Sequence, residues 1–396
     1  MFAKILKYSI VGPAPPRIRK AFMSGIYIHI PFCKQACYYC NFHFSTSVSQ
    51  KDAMVSAIIR EIELQQHYLG TDTVHTVYFG GGTPSLLAKG DIDAILEQLR
   101  RYFTIAADAE ITLEANPDDL SMEKLLEMKL SGINRLSIGV QSFHEADLQW
   151  MNRAHNSQQA IDCITNAQAA GFSNITIDLI YGGPGLSDEG WEYNVQQAIR
   201  LGVPHLSCYA LTVEPGTALD SFIRKKKMEA VDPEKAARHF ELLMQWVEAA
   251  GYEHYEISNF ALPGWHSRHN SSYWKGLSYL GLGPSAHSFN GHSRQWNVAN
   301  NAVYIKRINA GEVPFEIETL TAEMQFNEYI MTSLRTSAGC DTGWVGERFG
   351  VDLARQLLAN SREFIFKGWM VEADTHLRLT KAGRLFADGI AAELFI

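Results

Sequence analysis

Residues 30–42 read IPFCKQACYYCNF and hold three of the six cysteines of the chain. Cys33, Cys37 and Cys40 have the spacing C-x3-C-x2-C directly after an apolar, strand-like run. Three thiolates on one short loop can hold a [4Fe–4S] cluster and leave its fourth iron without a protein sulfur. Two alternatives stay open. One is a structural zinc site, which prefers four protein ligands with no open position and would use nearby histidines. The other is that the three thiols are buried and unreactive.

The composition is that of an ordinary globular protein. The 396 residues are 46% hydrophobic and 20% charged, with 35 Lys and Arg against 43 Asp and Glu, a formal net charge of −8. These values exclude disorder, collagen-like and coiled-coil structure, and they do not favour a general nucleic-acid-binding surface. Six cysteines are too few for a disulfide scaffold. We therefore expect a soluble, cytoplasmic protein with reduced cysteines.

Two segments bear on targeting and membranes. Met1 to Phe22 hold five basic and no acidic residues, and prolines break the apolar run that a signal peptide requires. We predict that residues 1–23 form a disordered basic tail, with Met23 as an alternative start. Residues 276–293 lack charged side chains, but their Gly, Ser, Pro, Asn and His content favours a packed, loop-rich segment over a spanning helix. Any membrane association would therefore be peripheral.

Strand-like and helix-like segments alternate from about residue 25 to residue 250. The predicted strands are Ile26–Ile30, Val74–Phe79, Glu110–Glu114, Arg135–Gly139, Asn174–Ile180 and His205–Leu211. The predicted helices are Gln50–Leu69, Asp91–Tyr102, Ser121–Ser131, Ser157–Ala170, Asp188–Leu201 and Asp232–Ala250. Six consecutive strand–helix units predict an α/β fold with a parallel sheet, in the form of an open partial barrel.

Polar residues and glycines follow the predicted strands, at the edge where active sites collect in such folds. The cysteine loop follows the first strand, and Gly80–Ser85 (GGGTPS) follows the second. Glu114 ends the third strand, Gln141 follows the fourth, and Asp178 lies on the fifth. We therefore expect these side chains to line one site.

The cysteine motif, with Tyr39 before its last cysteine, resembles the radical S-adenosylmethionine (radical SAM) superfamily. That resemblance implies a partial (β/α)6 barrel, in agreement with the alternating segments. It also implies a [4Fe–4S] cluster whose unique iron is chelated by the amino and carboxylate groups of SAM, and a 5′-deoxyadenosyl radical on reduction. The glycine run resembles the motif that receives the methionine amino group, here Gly81, Gly82 and Thr83.

A narrower resemblance covers residues 25–290 and points to the subfamily around oxygen-independent coproporphyrinogen III dehydrogenase. It rests on the motifs YIHIPFC, LEANP, SIGVQSF, MNRAH and IDLIYGGPG. The resemblance implies that one or two SAM molecules are contacted by Tyr27, Glu114, Gln141, Arg153 and Asp178. In physical terms, a carboxylate suits ribose hydroxyls or an ammonium group, and arginine suits a carboxylate.

Two features separate the chain from that dehydrogenase. The dehydrogenase loop has a fourth cysteine two residues after the third, and this chain has Phe42 there. Residues 269–274, HNSSYW, resemble the H-N-x-x-Y-W motif of a family of haem chaperones. This resemblance implies that the chain binds haem, with His269 as the candidate iron ligand, and passes it to an acceptor haem protein. Competing histidines are His266, His287 and His292.

Other functions remain open from the sequence. The chain is alternatively a dehydrogenase that oxidatively decarboxylates porphyrinogen propionates, or a radical SAM enzyme with an unknown small substrate. All three readings need an external electron donor for the cluster. The cysteines outside the loop, Cys163, Cys208 and Cys340, are expected to be reduced and structural.

The pattern changes after Gly311. The predicted elements there are helices Thr321–Arg335 and Leu353–Phe366, a hairpin at Trp369–Leu379 and a last helix to Phe395. Helices with a hairpin resemble a winged-helix module, but residues 312–396 hold eight basic and thirteen acidic residues, which argues against nucleic-acid binding. We predict a barrel domain over residues 24–310 and a small α+β domain over 311–396. The family resemblance implies that this small domain acts as a lid.

Overall fold

The computed structural model describes residues 23–396 and contains six parallel strands that pair in chain order. They are β1 (Met23–Ile30), β2 (Thr73–Gly81), β3 (Ile105–Ala115), β4 (Arg135–Gln141), β5 (Asn174–Tyr181) and β6 (His205–Ala210). All six predicted strands are present, and β3 begins five residues earlier than predicted. The predicted basic tail, apart from Met23 at the start of β1, lies outside the described residues.

Helices connect these strands on the outside of the sheet. They are α1 (Lys51–Leu64), α2 (Lys89–Tyr102), α3 (Met122–Leu130), α4 (Glu145–Trp150), α5 (Ser157–Ala169), α6 (Asp188–Arg200), α7 (Ala218–Arg224) and α8 (Pro233–Ala249). The short helices α4 and α7 were not predicted. The bounds of the six predicted helices agree within two residues, except that α1 ends at Leu64 instead of Leu69.

Several of these helices are followed by a glycine, and the end of α5 shows why. After α5, Gly171 has φ +83°, a conformation that costs a residue with a Cβ more than it costs glycine. The Gly171 N–H then donates to the Gln168 carbonyl at 2.9 Å, and the Phe172 N–H donates to the Ala167 carbonyl at 3.0 Å. These two bonds satisfy carbonyls that the helix end would leave unpaired. The chain then turns directly into β5.

The strands separate apolar from polar side chains. Fully buried apolar side chains pack under the helices from one face: Ile28, Phe79, Leu113, Ile138 and Ile177. Burying each one contributes about 1.5–3 kcal/mol. The alternate residues on the concave face are largely polar: Tyr27, Thr76, Tyr78, Glu110, Glu114, Arg135, Asp178 and His205. The barrel interior is therefore available for polar contacts, while the core lies outside it.

The sheet continues beyond the barrel on both sides. The added elements are β7 (Glu253–Glu256), β8 (Asn259–Ala261), α9 (Arg268–Trp274), β9 (Tyr279–Leu282), β10 (His287–Phe289), β11 (Ser293–Asn297), α10 (Asn301–Asn309) and β12 (Phe315–Thr319). The order across the sheet is β12-β11-β10-β9-β1-β2-β3-β4-β5-β6-β8-β7. Residues 276–293, expected to be loop-rich, thus contribute two strands, and β9 runs parallel to β1.

The last elements form a second, smaller core. They are α11 (Ala322–Leu334), β13 (Cys340–Asp341), α12 (Thr342–Phe349), α13 (Val351–Phe366), β14 (Met370–Ala373), β15 (His376–Leu379), α14 (Lys381–Arg384) and α15 (Ala387–Glu393). The three strands form an antiparallel sheet in the order β13-β15-β14, and helices plus this hairpin give the expected winged-helix-like arrangement. Among residues 23–396, no helix has the length and apolar character needed to cross a bilayer.

Candidate active site at the mouth of the barrel

A cavity of about 430 Å³ opens at the carboxyl ends of the strands. Small-molecule sites typically occupy about 300–1,000 Å³. Eleven of the thirteen residues that the sequence singled out line it: Cys33, Cys37, Tyr39, Cys40, Gly81, Gly82, Thr83, Glu114, Gln141, Arg153 and Asp178. Within the described chain its lining comes from residues 33–214, and the small domain contributes none of it. The lid role of that domain stays a prediction.

The three clustered cysteines lie on one loop between β1 and α1, and each is half-buried. The Cys40 N–H donates to the Cys37 carbonyl at 3.3 Å, which closes a tight turn within the motif. Burial raises the pKa of the Cys40 thiol to about 11, so a bound metal must supply the charge that ionises it. Within residues 23–396, no three acidic, His or Cys side chains are already gathered in metal-binding geometry. Three thiols facing one cavity nevertheless match a cluster with one open iron.

The glycine run packs β2 against the cysteine loop. Gly81 has φ +105°, and a Cβ there would lie 2.6 Å from the ring of His29. A Cβ on Gly82 would lie 2.6 Å from the carbonyl oxygen of Phe32. The Gly81 N–H is already engaged, because it donates to Glu114 at 3.1 Å. The run is therefore required for packing, whereas its sequence predicted only a role in the close approach of a ligand.

Two half-buried carboxyl groups, Glu114 and Asp178, line the cavity. Burial, together with the charge of Glu114, raises the pKa of Asp178 to about 7. Burial also raises the pKa of Glu114, although the Tyr78 hydroxyl donates to it at 2.7 Å. Like charges in one poorly solvated space oppose each other's ionisation. A ligand with hydroxyl or ammonium groups would relieve that cost.

Arg153 connects the cysteine loop to the strand ends. Its Nη1 donates to Cys37 Sγ at 3.2 Å and its Nη2 donates to Asn116 Oδ1 at 2.7 Å. Its Nε is buried without a hydrogen-bond partner among the described residues. Asn116 was not predicted from the sequence as a site residue, and its Nδ2 donates to Thr83 Oγ1 at 3.2 Å. Its place two residues after Glu114 in LEANP was the available signal.

Gln141 takes a backbone conformation that few residues other than glycine adopt. Its φ is +67°, and it follows a register shift between Ile138 and Gln141, after which β4 still pairs with Leu179 of β5. Such strain costs on the order of 1 kcal/mol or more and concentrates at functional sites. The bulge brings the Gln141 side chain to the cavity wall.

Tyr27 lies one layer below the cavity and does not line it. Its ring stacks near Tyr78 at a centroid distance of 6.1 Å, and its hydroxyl lies 3.2 Å from Nδ1 of His29. Burial lowers the pKa of His29 to about 4, so this imidazole is neutral. Tyr27 therefore supports the wall around Glu114, and its direct contact with SAM stays a prediction.

His269 lies on α9, which packs against β1 and β2 beneath the cavity, and it is 1% exposed. Its Nδ1 lies 2.8 Å from Thr76 Oγ1, and its Nε2 lies 2.8 Å from the Tyr273 hydroxyl. Glu110 accepts from the His269 backbone N–H at 2.9 Å and fixes the start of the helix. Burial lowers the pKa of His269 to about 3. Because Thr76 and Tyr273 occupy both ring nitrogens, an iron atom would reach them only after α9 moves.

The competing histidines differ in accessibility. His266 is partly exposed, lies 2.7 Å from Glu253 and stacks on Tyr255. His287 is exposed on β10 and stacks near Trp296 at 6.1 Å between centroids. None of them lines the cavity.

Phe42 lies at the rim of the cavity and is 67% exposed. The rim also includes Phe44 and Tyr209. An aromatic side chain at this exposure offers a flat apolar surface to a ligand.

Family comparisons agree with this geometry. Residues 27–198 match the family model of the radical SAM superfamily, and residues 320–386 match the HemN C-terminal domain. Among solved structures, this chain matches that of coproporphyrinogen III oxidase (HemN) from Escherichia coli with a TM-score of 0.81. That protein is a radical SAM enzyme. It is 23% identical, with 94% of this chain and 90% of that chain covered, and it confirms the predicted fold.

Curated relatives are more similar in sequence. Haem chaperone HemW of Mycobacterium tuberculosis is 36% identical, over 93% of this chain and 94% of that protein. Haem chaperone HemW of Bacillus subtilis is 33% identical, over 93% of this chain and 98% of that protein. Haem chaperone HemW of Escherichia coli is 38% identical, over 66% of this chain and 69% of that protein.

The radical SAM match implies a [4Fe–4S] cluster and SAM. The donor set fits both groups, since three thiols, two half-buried carboxyl groups and Arg153 line one cavity. The Arg153 Nε has no hydrogen-bond partner among the described residues. Relatives that are 33–36% identical span 93% of the chain. The chain therefore belongs to the HemW family of the radical SAM superfamily.

Proposed function

We propose that this protein is a cytoplasmic haem chaperone that binds haem and transfers it to an acceptor haem protein, on a [4Fe–4S]/SAM scaffold. The observation that carries the proposal is the likeness, over nearly the whole chain, to relatives named haem chaperones. Phe42 at the cavity rim and the HNSSYW segment on α9 support the same function.

The cavity residues have distinct proposed roles. Cys33, Cys37 and Cys40 hold the cluster, which supplies the electron for cleavage of SAM. Arg153 holds the SAM carboxylate while its Nη atoms keep the cysteine loop in place. Glu114 accepts hydrogen bonds from the ligand. The other proposed contacts to SAM are Tyr27, Tyr39, Gly81, Gly82, Thr83, Gln141 and Asp178.

Haem binding is proposed to require opening of α9. His269 becomes available only when its bonds to Thr76 and Tyr273 break. A protein that binds through a minor open state shows an association rate that reaches a plateau at high ligand concentration. Stopped-flow mixing with haem measures this rate directly. A rate that rises linearly with haem concentration throughout would contradict opening as the limiting step.

The iron ligand is tested by substitution with glutamine, which keeps some hydrogen-bonding capacity in the buried site. H269Q should change the Soret and visible bands of the haem complex, whereas H266Q, a matched control on the preceding loop, should leave them unchanged. Thermal unfolding establishes that both variants are folded. An unaltered spectrum for H269Q, with altered bands for H266Q, would move the ligand to His266.

Haem transfer is tested against an apo-cytochrome with a distinct Soret band. We expect the loaded protein to convert the apo-cytochrome faster than free haem does in the presence of a haem scavenger. The rival function is coproporphyrinogen III dehydrogenase. Anaerobic formation of protoporphyrinogen at enzymatic rates by the reconstituted protein, without haem transfer, would refute the chaperone function.

Two further partners belong to this proposal. A low-potential electron donor reduces the cluster, since the chain supplies no electron itself. Nucleic acid is not a proposed partner, because the chain carries a net charge of −8, and any membrane contact is peripheral.

A further inference from the structure

Three consecutive lysines, Lys225, Lys226 and Lys227, follow α7 and are exposed. They form a compact basic turn in a chain whose formal net charge is −8. The preceding Arg224 pairs with Asp220 at 2.8 Å. The three lysine side chains form no ion pair with any residue from 23 to 396. Their charge is therefore free to act on a partner.

The lysine turn is attached to the cysteine loop. Tyr38, which lies between Cys37 and Cys40 in the sequence, packs edge-on against Phe222 at a centroid distance of 5.0 Å. Its carbonyl accepts from the Leu219 N–H at 2.8 Å. The Lys227 N–H in turn donates to the Phe222 carbonyl at 2.8 Å. One contiguous set of contacts thus runs from the cluster ligands to the basic turn.

The lysine on the cysteine loop itself has a different charge balance. Lys34 is compensated there by Asp118 at 2.8 Å and by Asp119. Among the described residues, Lys34 therefore adds no uncompensated positive charge at the loop, in contrast to the three lysines after α7. Exposed charges of one sign steer oppositely charged partners and raise their association rates about 10- to 1,000-fold.

We propose that the lysine turn and the adjoining end of α7 form the docking surface for the electron donor, an acidic, low-potential one-electron carrier protein. This inference rests on the proposed use of an external donor. The carrier loses one electron and the cluster gains it, so no bond forms or breaks and no proton is needed. Docking at this surface holds the carrier next to Tyr38 and the loop that bears Cys37 and Cys40.

The test uses flavodoxin as the acidic carrier and the full-length protein with its three lysines reversed, K225E/K226E/K227E. We expect flavodoxin to bind the variant at least about tenfold more weakly at low ionic strength, and the difference to shrink near about 300 mM salt, where charges are screened. Binding is measured by anisotropy of a label on flavodoxin, with both cluster-free and reconstituted protein. Stopped-flow absorbance follows cluster reduction by reduced flavodoxin.

A matched control carries the same charge change on other exposed elements, R101E/K275E/R362E. It should retain flavodoxin affinity, and both variants should be reduced normally by photoreduced deazaflavin, a small molecule that needs no docking surface. Equal losses in the two variants, or an unchanged affinity in the lysine variant, would refute the proposal. The proposal would also be refuted if the lysine variant kept its flavodoxin affinity but lost binding to anionic vesicles or to the acceptor protein. Soret titration of each variant tests haem binding separately, so failure of the chaperone function is distinguished from failure of this inference.

Discussion

Replacing Glu61 by glutamine should remove a pH-dependent part of the stability of the barrel. Glu61 on α1 is fully buried. Its carboxylate accepts hydrogen bonds from the Gly283 N–H at 2.7 Å, Asn297 Nδ2 at 2.7 Å and the Tyr304 hydroxyl at 2.6 Å. These contacts tie α1 to the segment that extends the sheet beyond β1.

The size of the effect follows from the pKa of this group. Burial raises the pKa of Glu61 from 4.5 to about 7, despite the three donors. Each pKa unit corresponds to about 1.4 kcal/mol, so the full shift is on the order of 3 kcal/mol. Because the folded-state pKa is the higher one, this stability is present below about pH 4.5 and is lost as the pH rises through about 7. Most of it, about 2–3 kcal/mol, disappears between about pH 5 and pH 8.

Urea unfolding of the cluster-free protein at several values between about pH 5 and pH 8 measures this dependence. The wild type should lose about 2–3 kcal/mol more over that interval than E61Q does. The exposed Glu97 on α2 provides a control, and E97Q should follow the wild-type profile. Parallel pH profiles for wild type and E61Q would refute the reasoning, because they would mean that the carboxylate titrates alike in the folded and unfolded chains.

Three other substitutions test the site. G81A should destabilise the protein by about 2 kcal/mol or more, since the position has positive φ and no room for a Cβ, whereas G90A in an open helical position should not; thermal unfolding compares them. N116L removes the acceptor of Arg153 and should weaken SAM binding about tenfold in equilibrium titration, while N116D, which keeps that oxygen, should lose less. E110Q weakens the cap of α9 and should speed haem association in stopped-flow mixing; an unchanged rate would argue against opening of that helix.

The sequence predicted the elements that depend on local patterns. The apolar runs gave all six barrel strands, because each strand is buried on a face that must be hydrophobic. Four of the six predicted helices end directly before a glycine with positive φ, namely Gly132, Gly171, Gly202 or Gly251. A fifth was expected to end before Gly70, but α1 ends earlier, at Leu64. In contrast, α12 was missed, since its sequence TGWVGERF has two glycines and weak helix formers. Its start depends on Asp341, which caps the N–H groups of Gly343 and Trp344.

The sequence predicted most of the residues that line the cavity, but it did not predict how far the cavity extends along the strands. Parallel strands bring their carboxyl ends together, so residues as distant in sequence as Glu114 and Asp178 were expected to meet, and both line the cavity. Sequence spacing cannot show how far along a strand the cavity reaches. Tyr27 consequently lies below the cavity wall, and His269 lies in a closed hydrogen-bonded layer beneath it. Asn116 was missed because its role depends on Arg153, a contact across 37 residues.

The separation of the two faces of the barrel strands has a consequence for how this scaffold changes over evolution. Side chains such as Ile28 and Leu113 maintain the core from the outer face, whereas Glu114 and Asp178 belong to the concave face. Substitutions on the concave face therefore remove few apolar contacts and leave most of the folding free energy in place. A lineage can exchange one chemistry for another there, by changing a strand end or a rim residue such as Phe42, without first acquiring compensating core mutations.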